Sequence, residues 1–183
     1  MNFTAIDFET ANNYMNSACS VAVVRVENGK ITASAQQLLK PYIMQFNPFH
    51  TSIHGIRSQD VQNMPKFDKY WAELKPWLDG QTVIAHYATF DMSVLKALMS
   101  SYNLDKADFE YYCSCTIARK VWPKLINHKL STVAGHIEFD FRHHDALEDA
   151  RACAMVVLQA MQQEQVTELR QLAKKLLLKG KKF

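Results

Sequence analysis

The chain of 183 residues suits one domain, long enough to bury about 70% of its unfolded surface without disulfide or metal staples. At 48% hydrophobic and 21% charged it is neither a disordered nor a low-complexity sequence, and no apolar run approaches the ~18 residues of a membrane span. The net charge of +3 excludes a uniformly basic surface, because Arg170, Lys174, Lys175, Lys179, Lys181 and Lys182 follow the last acid and leave everything before them at −3.

The opening "MNFTAIDFET" has no basic leader followed by a long apolar core, which gives a cytoplasmic protein as the expectation. Residues 2 to 9 read as a strand, yet "AIDFETAN" places Asp7 and Glu9 inside it. Alternate residues of a strand share a face, so these carboxylates point the same way roughly 7 Å apart. At an effective dielectric near 20 they repel by roughly 2 kcal/mol. Burial adds a desolvation penalty that a cation would offset; for an isolated D-x-E, an edge strand with both acids in water explains the pattern as well.

Residues 18 to 26 ("ACSVAVVRV") form a second strand, and "ENGK" turns the chain into a third, "ITASAQQLL". After this antiparallel meander the period changes. "FDKYWAELKPWL" is helical, "TVIAH" is a short buried strand, "FDMSVLKALMSSY" is a helix and "FEYYCSC" is another strand. Helices are expected over 115–122, 130–138, 146–164 and onward to 178, with a frayed end from Gly180. Three meander strands followed by alternating helices and strands give an α/β layered domain with a mixed sheet covered on both sides. We divide it into residues 1–165 and a basic helix or tail over 166–183.

Cys19, Cys113, Cys115 and Cys153 contain no C-x-x-C pair. Cys113 and Cys115 on one strand face are badly placed for a disulfide, so reduced structural thiols are expected. His50 and His54 have H-x-x-x-H spacing without a third ligand, a weak pattern for zinc. The basic tail reads as a solvated terminus or as an arm for phosphates.

Further acids lie near element ends. Asp91 opens a helix, where the macrodipole alone explains an acid. In "RHHDALEDARACAMVVL" Asp145 and Glu148 suit a capping box, which leaves Asp149. Helical spacing puts Asp149 on the face of Cys153 and Val156, toward the apolar side, where an unpaired carboxylate is costly. His144 stands just before the cap. Asp7, Glu9, Asp91 and Asp149 from separate elements would repel strongly if brought together without metal. Two divalent ions about 4 Å apart would balance them and suit in-line displacement at a phosphodiester.

With these residues the chain resembles DEDDh 3'-5' exonucleases of the DnaQ-like superfamily, which includes the epsilon proofreading subunit of bacterial DNA polymerase III and ribonuclease T. "DFE" (Asp7, Glu9), "HYATFD" ending in Asp91, and "HDALED" from His144 to Asp149 carry the resemblance, over residues 2 to 160. "IHGIRSQDV" is similar to the family's Gly-Ile loop, and the H-x-A-x-x-D spacing selects His144 over His143.

The resemblance implies a ribonuclease H-like fold with a five-stranded sheet and release of nucleoside 5'-monophosphates from a 3' end. It implies two divalent ions, Mg or Mn, bridged by Asp7. Glu9 and Asp149 would complete one site and Asp91 would support the second. His144 would take the proton of the attacking water, as an imidazole with pKa near 6.5 can at neutral pH. Phe8, Glu9 and Thr10 would meet the terminal nucleotide, with Ile56 near the last base and His86 and Phe90 lining the pocket. Phe8 would use its backbone, since its side chain faces away, and core packing competes as a role for Ile56 and Phe90.

Single-stranded DNA with a free 3' end is the implied substrate, a replicative polymerase the implied partner, and no membrane is involved. An RNA-trimming enzyme is the alternative within this chemistry, and a non-catalytic nucleic-acid binding module the alternative outside it. The chain departs from many relatives in having "TAN" after the first glutamate instead of Thr-Gly, and Tyr87 where Asn is common.

Overall fold

The computed structural model describes residues 2–183. The meander is present as β1 (Phe3–Thr10), β2 (Ala18–Glu27) and β3 (Lys30–Leu38). Asn28 and Gly29 both take positive φ, 52° and 78°, as the two-residue hairpin turn between β2 and β3 requires. Then follow α1 (Pro48–His54), α2 (Ser58–Val61), α3 (Phe67–Leu78), β4 (Thr82–Ala85), α4 (Thr89–Tyr102) and β5 (Glu110–Cys113). The remainder comprises α5 (Ser114–Val121), α6 (Leu130–His136), α7 (Ala146–Gln163), α8 (Leu169–Lys175) and β6 (Lys181–Lys182).

The sheet has six strands in the order β3-β2-β1-β4-β5-β6, one more than the five expected. β1 runs antiparallel to β2 and parallel to β4, and β4 runs parallel to β5. The additional strand is built from the segment read as a frayed end: Lys181 pairs with Tyr111 and Lys182 with Glu110, antiparallel. Phe183 holds the terminus by stacking on Phe109 with ring centroids 4.6 Å apart. Cys113 and Cys115 do not share a strand face, since β5 stops at Cys113 and Cys115 lies in α5. All the cysteines are free thiols.

Strand alternation sends the two faces of β1 into two cores. Phe3 and Ala5 join Ala22, Val24 and Ile84 under α5, α6 and α7, while Ile6 and Phe8 join Val21, Val23 and Val83 under α3 and α4. Each fully buried Val, Ile, Leu or Phe in these layers contributes about 1.5–3 kcal/mol. Asp7 and Glu9 continue the Phe3 and Ala5 face and so point toward α7. Ala146, Ala150, Ala152, Ala154 and Ala160 of α7 are buried, and their short side chains bring this helix close to β1 and β2. Among the described residues no helix is long and apolar enough to cross a membrane.

Candidate active site

Two helix starts meet the end of β1. Asp145 is the N-cap of α7, accepting from the backbone N–H of Leu147 at 3.1 Å and of Glu148 at 3.4 Å. Glu148 does not complete a capping box; it pairs with Arg151 at 2.9 Å. The cap fixes the first turn and with it Asp149, 4% exposed. Asp91, in the first turn of α4, is 0% exposed and accepts from the Phe8 backbone N–H at 3.2 Å, so α4 is tied directly to β1.

Carboxylate oxygens of Asp7, Glu9 and Asp149 all lie within 4.8 Å of one another. Without a cation this is electrostatically unfavourable, and the ionisation of the groups shows it. Burial, reinforced by Asp91, Asp149 and Glu9, drives Asp7 well above the ordinary carboxylate range. Glu9 is pushed up to about 8, by burial first and then by Asp149 and Asp91. Burial raises Asp91 as well, against the opposing hydrogen bonds from its own backbone N–H and that of Phe8. The second oxygen of Asp91 is buried with no hydrogen-bond partner. An all-oxygen donor set with an orphaned buried oxygen fits hard divalent cations such as Mg or Mn.

His144 lies in the same cavity, about 570 Å³, with Asp7, Glu9, Asp91 and Asp149. Its backbone is left-handed, φ 66°, and its N–H donates to Asp149 at 3.1 Å. Burial and then the neighbouring His143 lower its pKa, which favours the neutral imidazole needed to accept a proton at pH 7. The sequence pattern passed over His143, but its Nδ1 lies 2.8 Å from Asp149 and its ring stacks on that of His144 at 3.9 Å. The doublet "HH" was the available signal; the H-x-A-x-x-D spacing assigns a place to only one of the pair.

The residues expected to meet substrate divide. Phe8, His86 and Phe90 line the cavity. The Phe8 ring is buried and packs on Phe67 at 6.4 Å, so only its backbone faces the site. His86 lies 2.8 Å from the Ser114 hydroxyl through Nδ1 and 3.0 Å from the His128 carbonyl through Nε2. That carbonyl can only accept, so Nε2 carries the proton and His86 is a neutral wall; burial lowers its pKa to about 4.

Thr10 and Ile56 are not brought to this cavity. Thr10 is buried, and its carbonyl lies 3.0 Å from His50 Nδ1 and 3.2 Å from His54 Nε2. The H-x-x-x-H pair therefore anchors α1 to β1 instead of forming a zinc site. Ile56 lines a neighbouring cavity with His54, His143 and His144. Tyr87, Lys129, Leu130 and Ser131 complete the wall near the carboxylates; Tyr87 lies within the HYATFD motif, whereas no motif marked the other three.

The RNase_T family, described as Exonuclease, matches residues 4–158. The PolC-type DNA polymerase III of Caldanaerobacter subterraneus subsp. tengcongensis is 26% identical over 166 residues, covering 89% of this chain and 12% of that protein. That of Thermotoga maritima is 25% identical over 178 residues, 94% of this chain and 13% of that protein. The chain thus spans about an eighth of the length of these curated relatives. Among solved structures, exonuclease X in complex with 5' overhanging duplex DNA superposes with a TM-score of 0.77 at 23% identity, covering 95% of this chain and 99% of that one. The nuclease domain of 3'hExo, a DEDDh family member bound to rAMP, has a TM-score of 0.76 at 19% identity, covering 89% and 92%.

Proposed function

This chain belongs to the exonuclease family, and we propose that it removes nucleoside 5'-monophosphates from DNA 3' ends by metal-dependent hydrolysis, in proofreading or repair. One observation carries the reading. Oxygens of Asp7, Glu9 and Asp149 lie within 4.8 Å of one another, beside a buried and unpartnered oxygen of Asp91 and in one cavity with His144.

Asp7, Glu9, Asp91 and Asp149 would hold two divalent ions, Mg or Mn. When bound, the ions supply charge stabilisation for the attacking and leaving oxygens of the phosphodiester. The protein's own groups do the rest. His144, neutral at pH 7, accepts the proton of the attacking water. The backbone of Phe8 and the walls formed by His86 and Phe90 position the terminal nucleotide. His86, with both ring nitrogens engaged, shapes this wall and moves no proton.

The PolC-type DNA polymerase III relatives support DNA as the polymer and a replicative polymerase as partner. The test is incubation of the purified chain with 3'-labelled and 5'-labelled single-stranded DNA and RNA of one sequence, with Mg, with Mn and with chelator. Stepwise shortening from the 3' end that needs metal and is abolished by Asp7→Ala is the expected result, with DNA the faster polymer. Faster RNA cleavage would instead assign an RNA-trimming enzyme. Undiminished cleavage by Asp7→Ala would remove these carboxylates from the chemistry, and no cleavage under any condition would favour a binding module.

A further inference from the structure

Beside the carboxylate cavity lies a second cavity of about 700 Å³, and the two share Tyr87 and Phe90 as their common wall. No acid lines it. Its far side carries Tyr111, Arg119, Lys179 and Lys181. Arg119, Lys179 and Lys181 are exposed, and none of them forms an ion pair among the described residues. Two of these cations come from the segment that adds the sixth strand. Pairing of Lys181 with Tyr111 and the stacking of Phe183 on Phe109 hold that segment in place, so Lys181 borders the cavity as part of the sheet and Lys179 lies two residues before it.

Tyr87 is the second observation. Its ring is 47% exposed, and its backbone is left-handed at φ 58°, a conformation that a bulky non-glycine residue adopts only at an energetic cost. Asn would tolerate this conformation. A strained, exposed aromatic between two cavities, continued by the 39% exposed ring of Phe90, fits a platform on which a base can stack.

We propose that this cavity binds the unpaired nucleotides immediately upstream of the scissile bond, with their bases on Tyr87 and Phe90 and their phosphates on Arg119, Lys179 and Lys181. Free base faces are needed for stacking, which selects single-stranded over duplex substrate. The assignment rests on the exonuclease reading of the neighbouring site.

The test measures binding of 5'-fluorescein-labelled dT12 to the full chain in chelator, where hydrolysis cannot interfere. Tyr87→Asn should weaken binding about ten-fold, the loss expected for one stacked base, with thermal stability kept or raised because Asn accepts the left-handed backbone. The double substitution Arg119→Ala/Lys181→Ala should make the salt dependence shallower by about 1.4 units, or about 0.7 per lost phosphate contact. Wild-type affinity and slope in both variants would overturn the inference, as would equal affinity of wild type for a 12-base-pair duplex. Hydrolysis by the wild type with Mg, assayed in parallel, separates the two readings: a chain that shortens DNA while the variants bind normally retains the active site and loses only the groove.

Discussion

Glu9 is held near pKa 8 by burial and by Asp149 and Asp91, and this makes the metal-free protein sensitive to pH. A carboxyl raised on folding binds more protons folded than unfolded, so its contribution to stability is full at low pH and is lost as pH rises through its folded value. His86 acts in the opposite direction, but only below its ordinary value of 6.5. Between pH 6.5 and about 8 the carboxyls dominate. Melting in chelator should therefore fall across that window. Added Mg or Mn at a hundred times its Kd should restore about 2.7 kcal/mol, and a melting curve unaffected by pH and metal would contradict this. His144→Ala should reduce turnover about 10²–10⁴-fold while leaving the metal-induced rise in Tm, since the carboxylates remain; single-turnover assays and melts check the pair. These residues were legible because D-x-E on a strand, an acid opening a helix and H-x-A-x-x-D at a helix start, each open to a plainer role alone, occur together in the order that carries the exonuclease resemblance. The contact of His143 with Asp149 was not, because it depends on the left-handed turn at His144, which spacing does not reveal.

At the scale of elements, α7 places Asp149 and is itself placed by Asp145. Asp145→Ala removes the acceptor of two first-turn N–H groups and should cost about 1 kcal/mol, read as a lower urea midpoint, with weaker metal binding as the first turn loosens. A variant with an unchanged midpoint would show that packing of the alanine face alone fixes the helix start. The long elements were legible: the hairpin from Asn28-Gly29, and α3, α4 and α7 from their apolar period. The short helices between β3 and α3 were not. α1 buries no residue and is held by the Asn47 cap, with His50 and His54 at the Thr10 carbonyl, so it has no periodic stripe to read. The same contacts take Thr10 out of the cavity, since its hydroxyl and carbonyl face α1.

Across the whole molecule, the C-terminal segment is part of the layered fold, whereas its charge alone suggested a solvated tail. Leu169, Leu172 and Ala173 of α8 are buried in the core beneath α7, and β6 edges the sheet. No local strand signal marks Lys181 and Lys182, because that pairing is made by tertiary contact with β5 and by Phe183. Deleting residues 181–183 should leave a folded chain, whereas deletion from residue 169 onward should cost roughly 3–6 kcal/mol for the two leucines alone, as denaturant melts would show. A chain truncated at 168 with wild-type stability would mean that α8 adds nothing to the core. β1, α4 and α7 converge on the carboxylates proposed to hold two metal ions, and a calorimetric titration of the full chain with Mn tests that proposal most directly. Two ions per wild-type chain, with at least one lost in Asp7→Asn, is the predicted result; no binding by the wild type, or the same stoichiometry and affinity in Asp7→Asn, would contradict it.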